Sequence, residues 1–262
     1  MKRFFLPALI LLVSILTAPS LCQDAISKFA PKAELIFIGT ILVPRASTID
    51  AQDVSWLAVV RMDEFLYGPK TYMNFVGKNI TVQLKEPEKA KAKSRSLFFA
   101  TGWYFSGDIG VIEIGRMPID AAMDIKEIVA MIGRVRQEAE DDELILRLSQ
   151  AQLVVRGRII DIKRVPGQNK LSEHSPNWRE AEIEIGKVLK GNFSGRTIKI
   201  LFPSSNDVMW YNSPKPQMGT EGIWLLKQFT YAGKKLELLT AIDKADFLPK
   251  SDEERIVRLL KK

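Results

Sequence analysis

Few side chains in this sequence have the types and spacing that catalysis or metal binding requires. Among the 262 residues His174 is the only histidine and Cys22 the only cysteine. A zinc site or a Ser-His-Asp triad would therefore depend on His174 alone, and the sequence contains no H-E-x-x-H pattern and no P-loop. Paired carboxylates such as Asp63-Glu64 lie on predicted strands or turns, where exposure to solvent is their usual state. The sequence predicts a protein without enzymatic activity, bound metal or cofactor.

Aromatic and basic side chains in the second half offer a binding chemistry instead. Trp210 and Tyr211 occur in a long Pro-rich loop, where exposed aromatic residues are common binding groups, although a loop folded onto its own domain is the alternative. Residues 143–262 hold 21 basic and 14 acidic side chains, net +7, whereas residues 23–142 hold 15 and 17. Such an excess favours anionic partners, with a solvated surface as the alternative. The residues predicted to bind a ligand are Trp210, Tyr211, Lys190, Arg156 and Arg158.

Lys190, Arg156 and Arg158 belong to a pattern that the sequence contains twice, whereas Trp210 and Tyr211 have no counterpart in the first copy. A β-branched segment around Gly39 recurs 118 residues later around Gly157, and a glycine inside a strand indicates a bulge or a sharp bend. In both copies a second strand ends in a turn, Tyr67-Gly68 or Lys190-Gly191, and a third strand, a long loop and a hairpin follow. Four tryptophans recur at matched positions, which favours packing in the core or at the barrel ends: Trp56, Trp103, Trp178 and Trp224.

The repeat predicts a mainly β protein with two tandem barrels and flanking helices. The first barrel is expected at residues 23–137 and the second at 151–262, with an acidic linker and helical lead-in at 138–150. Each barrel is expected to end in a helix, the first at 120–137 and the second at 251–262. Ser251 and Glu254 predict a capping box at the start of the second helix.

The N-terminus has the features of a secretory signal peptide, predicted at residues 1–22. A basic start is followed by an apolar run at 4–16, shorter than the roughly 20 residues of a membrane span, so an uncleaved anchor is the disfavoured alternative. Cleavage is expected after Ser20 or after Cys22, and Leu21 disfavours lipid attachment at Cys22. The protein is therefore expected to be exported, periplasmic or secreted, with no membrane span after the signal peptide.

The order of motifs resembles netrin-like and TIMP-like OB-fold domains. The second copy carries Ala-x-Leu-Val-x-x-Gly-x-Ile at 151–159, Val-Leu-Lys-Gly at 188–191 and Thr-Ile-x-Ile at 197–200, whereas Tyr67-Gly68 replaces Lys-Gly in the first. The resemblance implies a five-stranded Greek-key barrel with a terminal helix in each copy. The inhibitory mechanism of the TIMP family, which uses an N-terminal cysteine and disulfides, does not carry over, because Cys22 would have no disulfide partner.

The expected function is that of an exported binding or protein-interaction module whose partner is an unknown protein or an anionic polymer. Two alternatives stay open: an envelope component that binds anionic surfaces, and an inhibitor of a secreted hydrolase by analogy of fold. OB barrels often bind single-stranded nucleic acid. An export signal disfavours that partner.

Overall fold

The computed structural model of the chain describes residues 18–105, 109–120, 122–166 and 174–261. The chain divides into two compact units, residues 1–139 and 140–262. Both are built mainly from strands, as the repeat predicted. Residues 1–17 of the predicted signal peptide and the side chain of Trp103 lie outside the described part of the chain.

The first unit contains a closed five-stranded barrel. Helix α1 (Ala18–Phe29) leads into β1 (Leu35–Pro44), β2 (Leu57–Tyr67), β3 (Asn79–Gln83), β4 (Arg95–Phe105) and β5 (Ile109–Pro118). The strands close in the order β1-β2-β3-β5-β4; β3 and β5 run parallel, and the other neighbouring strands are antiparallel. This order is that of an OB-like Greek-key barrel. Helix α2 (Ile125–Gln150) follows it and continues into the second unit.

The second unit repeats this order in a sheet that strand pairing leaves open. Its strands are β6 (Leu153–Arg164), β7 (Trp178–Lys190), β8 (Thr197–Pro203), β9 (Glu221–Leu226), β10 (Thr230–Tyr231), β11 (Lys234–Lys235), β12 (Leu239–Thr240) and β13 (Phe247–Leu248). Six of them form one sheet in the order β12-β8-β7-β6-β9-β13, while β10 and β11 form a separate hairpin. One isolated bridge, Lys227 to Thr240, joins the end of β9 to β12. The second unit is thus an OB-like half-barrel, with one bridge where the first has a full strand pair.

A glycine in the first strand of each unit lies at a register shift and close to the neighbouring strand. The β1–β2 register shifts between Ile38 and Gly39, and the β6–β7 register shifts between Arg156 and Gly157. A side chain at Gly39 would lie 3.0 Å from the carbonyl oxygen of Arg61, and one at Gly157 would lie 2.6 Å from that of Glu184. Only glycine allows this close approach of two strands. A register shift thus occurs at each predicted glycine, but the extra residue lies in the partner strand, Asp63 of β2 or Gly186 of β7.

Each unit has a core inside its strands and a second apolar layer under its helices. In the first unit α1 and the start of α2 cover outward-facing residues of β1 and β4, such as Ile36 and Phe99. In the second unit the end of α2 and helix α3 (Glu253–Leu259) cover Val154 and Leu225 of β6 and β9. The two faces of these strands are thus both buried, which explains their almost continuous apolar sequence.

Several predicted details differ from the structure. Residues 138–150, expected as a linker with a helical lead-in, instead form the second half of the continuous helix α2. The capping box at Ser251 is absent, because a 3-10 turn at Lys250–Asp252 precedes α3 and makes Asp252 the N-cap, without a side-chain bond. Trp56 precedes β2 and is 54% exposed, so the expectation that it packs like Trp178 is wrong for this copy.

Cys22 lies in α1 and packs against the first barrel. Its side chain is 8% exposed and belongs to the apolar cluster that contains Ile26 and Ile128. Burial, and secondarily the negative charge of Glu127, raises the pKa of the Cys22 thiol. Among the described residues, no helix is long and apolar enough to cross a membrane.

The burial of Cys22 predicts low thiol reactivity in folded protein that retains residue 22. Only the thiolate reacts with a disulfide reagent, and both burial and the raised pKa reduce its accessible population. We expect the thiol to react at least about tenfold more slowly in the folded protein than in urea-unfolded protein, in proportion to the accessible thiolate. A stopped-flow titration with an aromatic disulfide measures both rates. Equal rates would show that Cys22 does not pack on the barrel.

Candidate functional site

The loop between β8 and β9, residues 204–220, is fixed to the second unit by a buried tryptophan. Trp210 is 7% exposed, and its indole nitrogen donates a hydrogen bond to the carbonyl oxygen of His174 at 2.7 Å. Its ring contacts those of Trp178, Phe229 and Tyr231 edge-on, at centroid distances of 5.7, 6.5 and 6.1 Å. These rings come from the start of β7 and from the segment after β9, so the cluster ties three parts of the unit together.

A lysine inside the loop holds its two arms together. The ammonium group of Lys215 donates to the carbonyl oxygens of Pro203 and Trp210, each at 2.8 Å. Burial lowers the pKa of Lys215. This ammonium therefore closes the loop on itself.

An aspartate at the start of the loop holds the turn that precedes the buried tryptophan. Asp207 accepts a hydrogen bond from the backbone of Met209 at 2.9 Å and pairs with Nδ1 of His174 at 2.8 Å. The Met209 amide first, and the His174 ring second, hold the pKa of Asp207 below its usual value. The only histidine of the chain thus contacts the loop through both its backbone and its ring.

The same loop exposes four large apolar side chains, which we call the loop patch. Their exposed fractions are 82% for Val208, 65% for Met209, 72% for Tyr211 and 61% for Met218. Three of them surround Trp210 in sequence, so one tryptophan turned inward directs its neighbours outward. Scattered exposed apolar residues are normal, and four of them on one anchored loop make this loop the candidate interaction surface.

The structure separates the two aromatic residues that the sequence placed together. Trp210 packs onto its own unit, whereas Tyr211 is exposed, so the loop both packs and presents side chains. Sequence reasoning missed Val208, Met209 and Met218. The signal that could have found the first two is their place in the continuous apolar run 208–211 of a loop.

The three basic residues predicted to bind a ligand have different surroundings. The ammonium group of Lys190 donates to three backbone carbonyl oxygens at the end of α2 and just after it. Arg156 pairs with Glu253 at 2.8 Å. Arg158 is exposed, lies beside Gly219 of the loop, and makes no ion pair within the described part of the chain. Arg158 is therefore the one of the three that the fold brings to the loop; the ligand role of all three stays a prediction.

The remaining candidate chemistry is sparse. In the segments that the structure describes, no group of three or more His, Cys, Asp or Glu residues could hold a metal ion. The side chain of His174 is 48% exposed and pairs with that of Asp207.

Comparisons with known proteins give no family for this chain. No family model matches it, and no curated protein matches it by sequence. Two similar solved structures are the wild-type single-stranded DNA binding protein from Thermus aquaticus and a deletion mutant of that protein. Both are 8% identical to this chain and cover 79% of it, with 89% and 90% of their own chains and TM-scores of 0.18 and 0.17. A likeness at this level transfers no function.

Proposed function

We propose that this protein is an exported, non-enzymatic binding module whose second unit captures a protein partner through the loop patch. The observation that supports the proposal is the pairing of an inward anchor with outward apolar side chains. Trp210 is almost completely buried, while Tyr211 beside it is 72% exposed. The loop thus has a fixed base and presents apolar side chains to solvent, an arrangement that suits a binding surface.

The composition of the loop patch favours a protein surface as partner. Tyrosine and methionine are enriched at the centres of protein interfaces, where few residues supply most of the binding energy. Transfer of apolar area out of water contributes about 25 cal/mol per Å², and a buried aromatic side chain covers roughly 150–250 Å². The ring cluster below Trp210 holds the loop in one conformation, which reduces the ordering cost of association.

The class of partner is suggested by the resemblance of the motifs alone. A secreted hydrolase would agree with the resemblance to netrin-like and TIMP-like domains, because inhibitors in the TIMP family bind secreted enzymes. The proposal therefore includes two expectations from the sequence: the netrin-like or TIMP-like character of the domains and export of the protein. The capture experiment below distinguishes a hydrolase from other protein partners.

Replacing the exposed and the buried aromatic residue should have opposite effects. We expect Tyr211→Ala to reduce capture of the partner about 30-fold, the effect of losing an interface anchor, and to leave the melting temperature unchanged. We expect Trp210→Ala to lower the melting temperature, because it opens the ring cluster. Affinity capture from the native envelope fraction with mass spectrometry, beside thermal unfolding, measures both effects.

Met73→Ala is the matched control for this experiment. Met73 lies in the first unit and is 55% exposed, close to the 65% of Met209 in the loop patch. Met209→Ala should reduce capture, whereas Met73→Ala should leave it at the wild-type level. Equal capture by wild-type protein and Tyr211→Ala would refute the proposed function.

A further inference from the structure

Two arginines of the second unit face each other across neighbouring strands. The β6–β7 register pairs Arg164 with Arg179, two residues beyond the pair Ile162 and Ala181. Ala181 belongs to the core of the second unit and Ile162 packs against it. Because side chains alternate along a strand, both arginines point to the core side of the sheet, at the end of the strands. There Phe202 of β8 is the other neighbour of Arg179.

The charges on the opposite side of these strands are compensated, whereas those of the two arginines are not. Lys163 contacts Asp161 at 2.6 Å, and Lys199 contacts Glu180 at 2.9 Å. Within the described segments neither arginine makes an ion pair or a side-chain hydrogen bond. Within the described part of the chain, the ends of β6 and β7 therefore carry paired charges on the outer side of the sheet and two unpaired positive charges on the core side.

An unbalanced pair of this kind has a cost in the isolated protein. Directly opposed side chains in an antiparallel pair have Cβ atoms roughly 4.5–5.5 Å apart, and like charges at that spacing destabilise the sheet. Arg179 is half-buried, so water screens it less than a fully exposed side chain. Each guanidinium group presents several N–H donors in a plane that matches two oxygens of a phosphate or a carboxylate. An oxyanion between the two groups would remove the repulsion and accept hydrogen bonds from both.

We propose that Arg164 and Arg179 form a binding site for a dianionic tetrahedral oxyanion, a phosphate or sulfate group, at this end of the second unit. Two negative charges match the two guanidinium groups, whereas a single carboxylate leaves one of them unbalanced. The site is independent of the proposed function, because it uses neither Tyr211 nor Met209. No bond is made or broken, so the site binds the group without chemistry.

Thermal unfolding of the full chain in different anions tests the site. The probes are inorganic phosphate at pH 7.5, sodium sulfate, phenyl phosphate and sodium acetate, each compared with sodium chloride at the same ionic strength. We expect phosphate and sulfate to raise the melting temperature of the wild-type protein in a saturable way, and acetate to match chloride. A rise with phenyl phosphate as well would identify phosphate esters as ligands; a rise with the inorganic anions alone would identify the free ions.

Arginine variants locate the effect within the sheet. Arg164→Gln and Arg179→Gln should each raise the phosphate dissociation constant at least about tenfold, the usual effect of losing charge-assisted hydrogen bonds. Lys163→Gln is the matched control, because Lys163 is exposed beside Arg164 on the same strand but pairs with Asp161 on the opposite side of the sheet. Its dissociation constant should equal that of wild type. The site is refuted if wild-type protein responds to phosphate only as it does to chloride, or if Lys163→Gln weakens binding as much as Arg164→Gln.

Discussion

Trp224→Ala should lower the unfolding free energy of the second unit by about 3–5 kcal/mol, the usual range when a buried tryptophan is removed. Trp224 is completely buried in β9, and its ring lies 4.5 Å from that of Phe247 in β13. The side chain thus joins the sheet core to the strand at its edge. A domain of this size is stable by only about 5–15 kcal/mol, so the loss is a large fraction of the total.

Hydrogen exchange can measure this loss in each unit separately. Native-state exchange of the β6 and β9 amides reports the opening free energy of the second unit, and that of the β1 and β4 amides reports the first. In Trp224→Ala only the opening free energy of the second unit should fall. Trp224→Phe keeps a ring against Phe247 and should lose less than Trp224→Ala. A loss below about 1 kcal/mol in Trp224→Ala would contradict the assignment of Trp224 to the core.

Lys190→Met should destabilise the second unit by about 1.5–3 kcal/mol, the usual effect for hydrogen bonds to a charged group. Its ammonium group donates to the carbonyl oxygens of Leu148, Ser149 and Ala151, the last at 2.7 Å. These carbonyls lie in the last turn of α2 and just after it, where the helix provides no donors. A cation there also stabilises the negative end of the helix dipole.

The first unit caps the equivalent carbonyls with a cation from a different element. One nitrogen of Arg136 in α2 donates to the carbonyl oxygens of Ala30 and Ala33, the second at 2.9 Å. The other donates to the Tyr67 hydroxyl at 2.6 Å, and the guanidinium carbon lies 3.7 Å from the centre of that ring. Ala30 and Ala33 precede β1 as Leu148 and Ala151 precede β6, by the same 118 residues. Arg136 with Tyr67 therefore replaces the missing lysine of the first copy.

This equivalence predicts a rescue. Arg136→Met should destabilise the first unit by an amount similar to Lys190→Met in the second, and Tyr67→Lys should recover part of that loss when both changes are combined. The lysine would then reach Ala30 and Ala33 from the turn, as Lys190 reaches its carbonyls. Arg134→Met, at an exposed position of the same helix, is the control and should change stability by less than about 0.5 kcal/mol. Urea unfolding measures the stability of Arg136→Met, Lys190→Met, Arg134→Met and the double variant of Arg136→Met with Tyr67→Lys. Failure of Tyr67→Lys to restore any stability would contradict the equivalence.

The sequence alone determined those features that depend on residues near one another in the chain. Runs of β-branched residues at strand length predicted the strands, and the glycines at 39 and 157 predicted where the register shifts occur, because both depend on backbone sterics within one strand pair. The repeat predicted two OB-like units because both copies carry the same order of strands and turns. The continuity of α2 was missed, since acidic residues at 138–143 are equally compatible with an exposed linker and an exposed helix.

Only the tertiary structure decided which side chains of these elements meet. Adjacent aromatic residues in a loop have no fixed period, so the inward Trp210 and the outward Tyr211 follow from the rings of Trp178 and Tyr231, which are distant in sequence. The pairing of Arg164 with Arg179 depends on the register shifts between β6 and β7, and a slip of one residue would give both arginines other partners. The sheet of the second unit stays open, with a single bridge between Lys227 and Thr240, because β12 has only two residues. Contacts of this kind depend on chain segments far apart in sequence, and local patterns do not encode them.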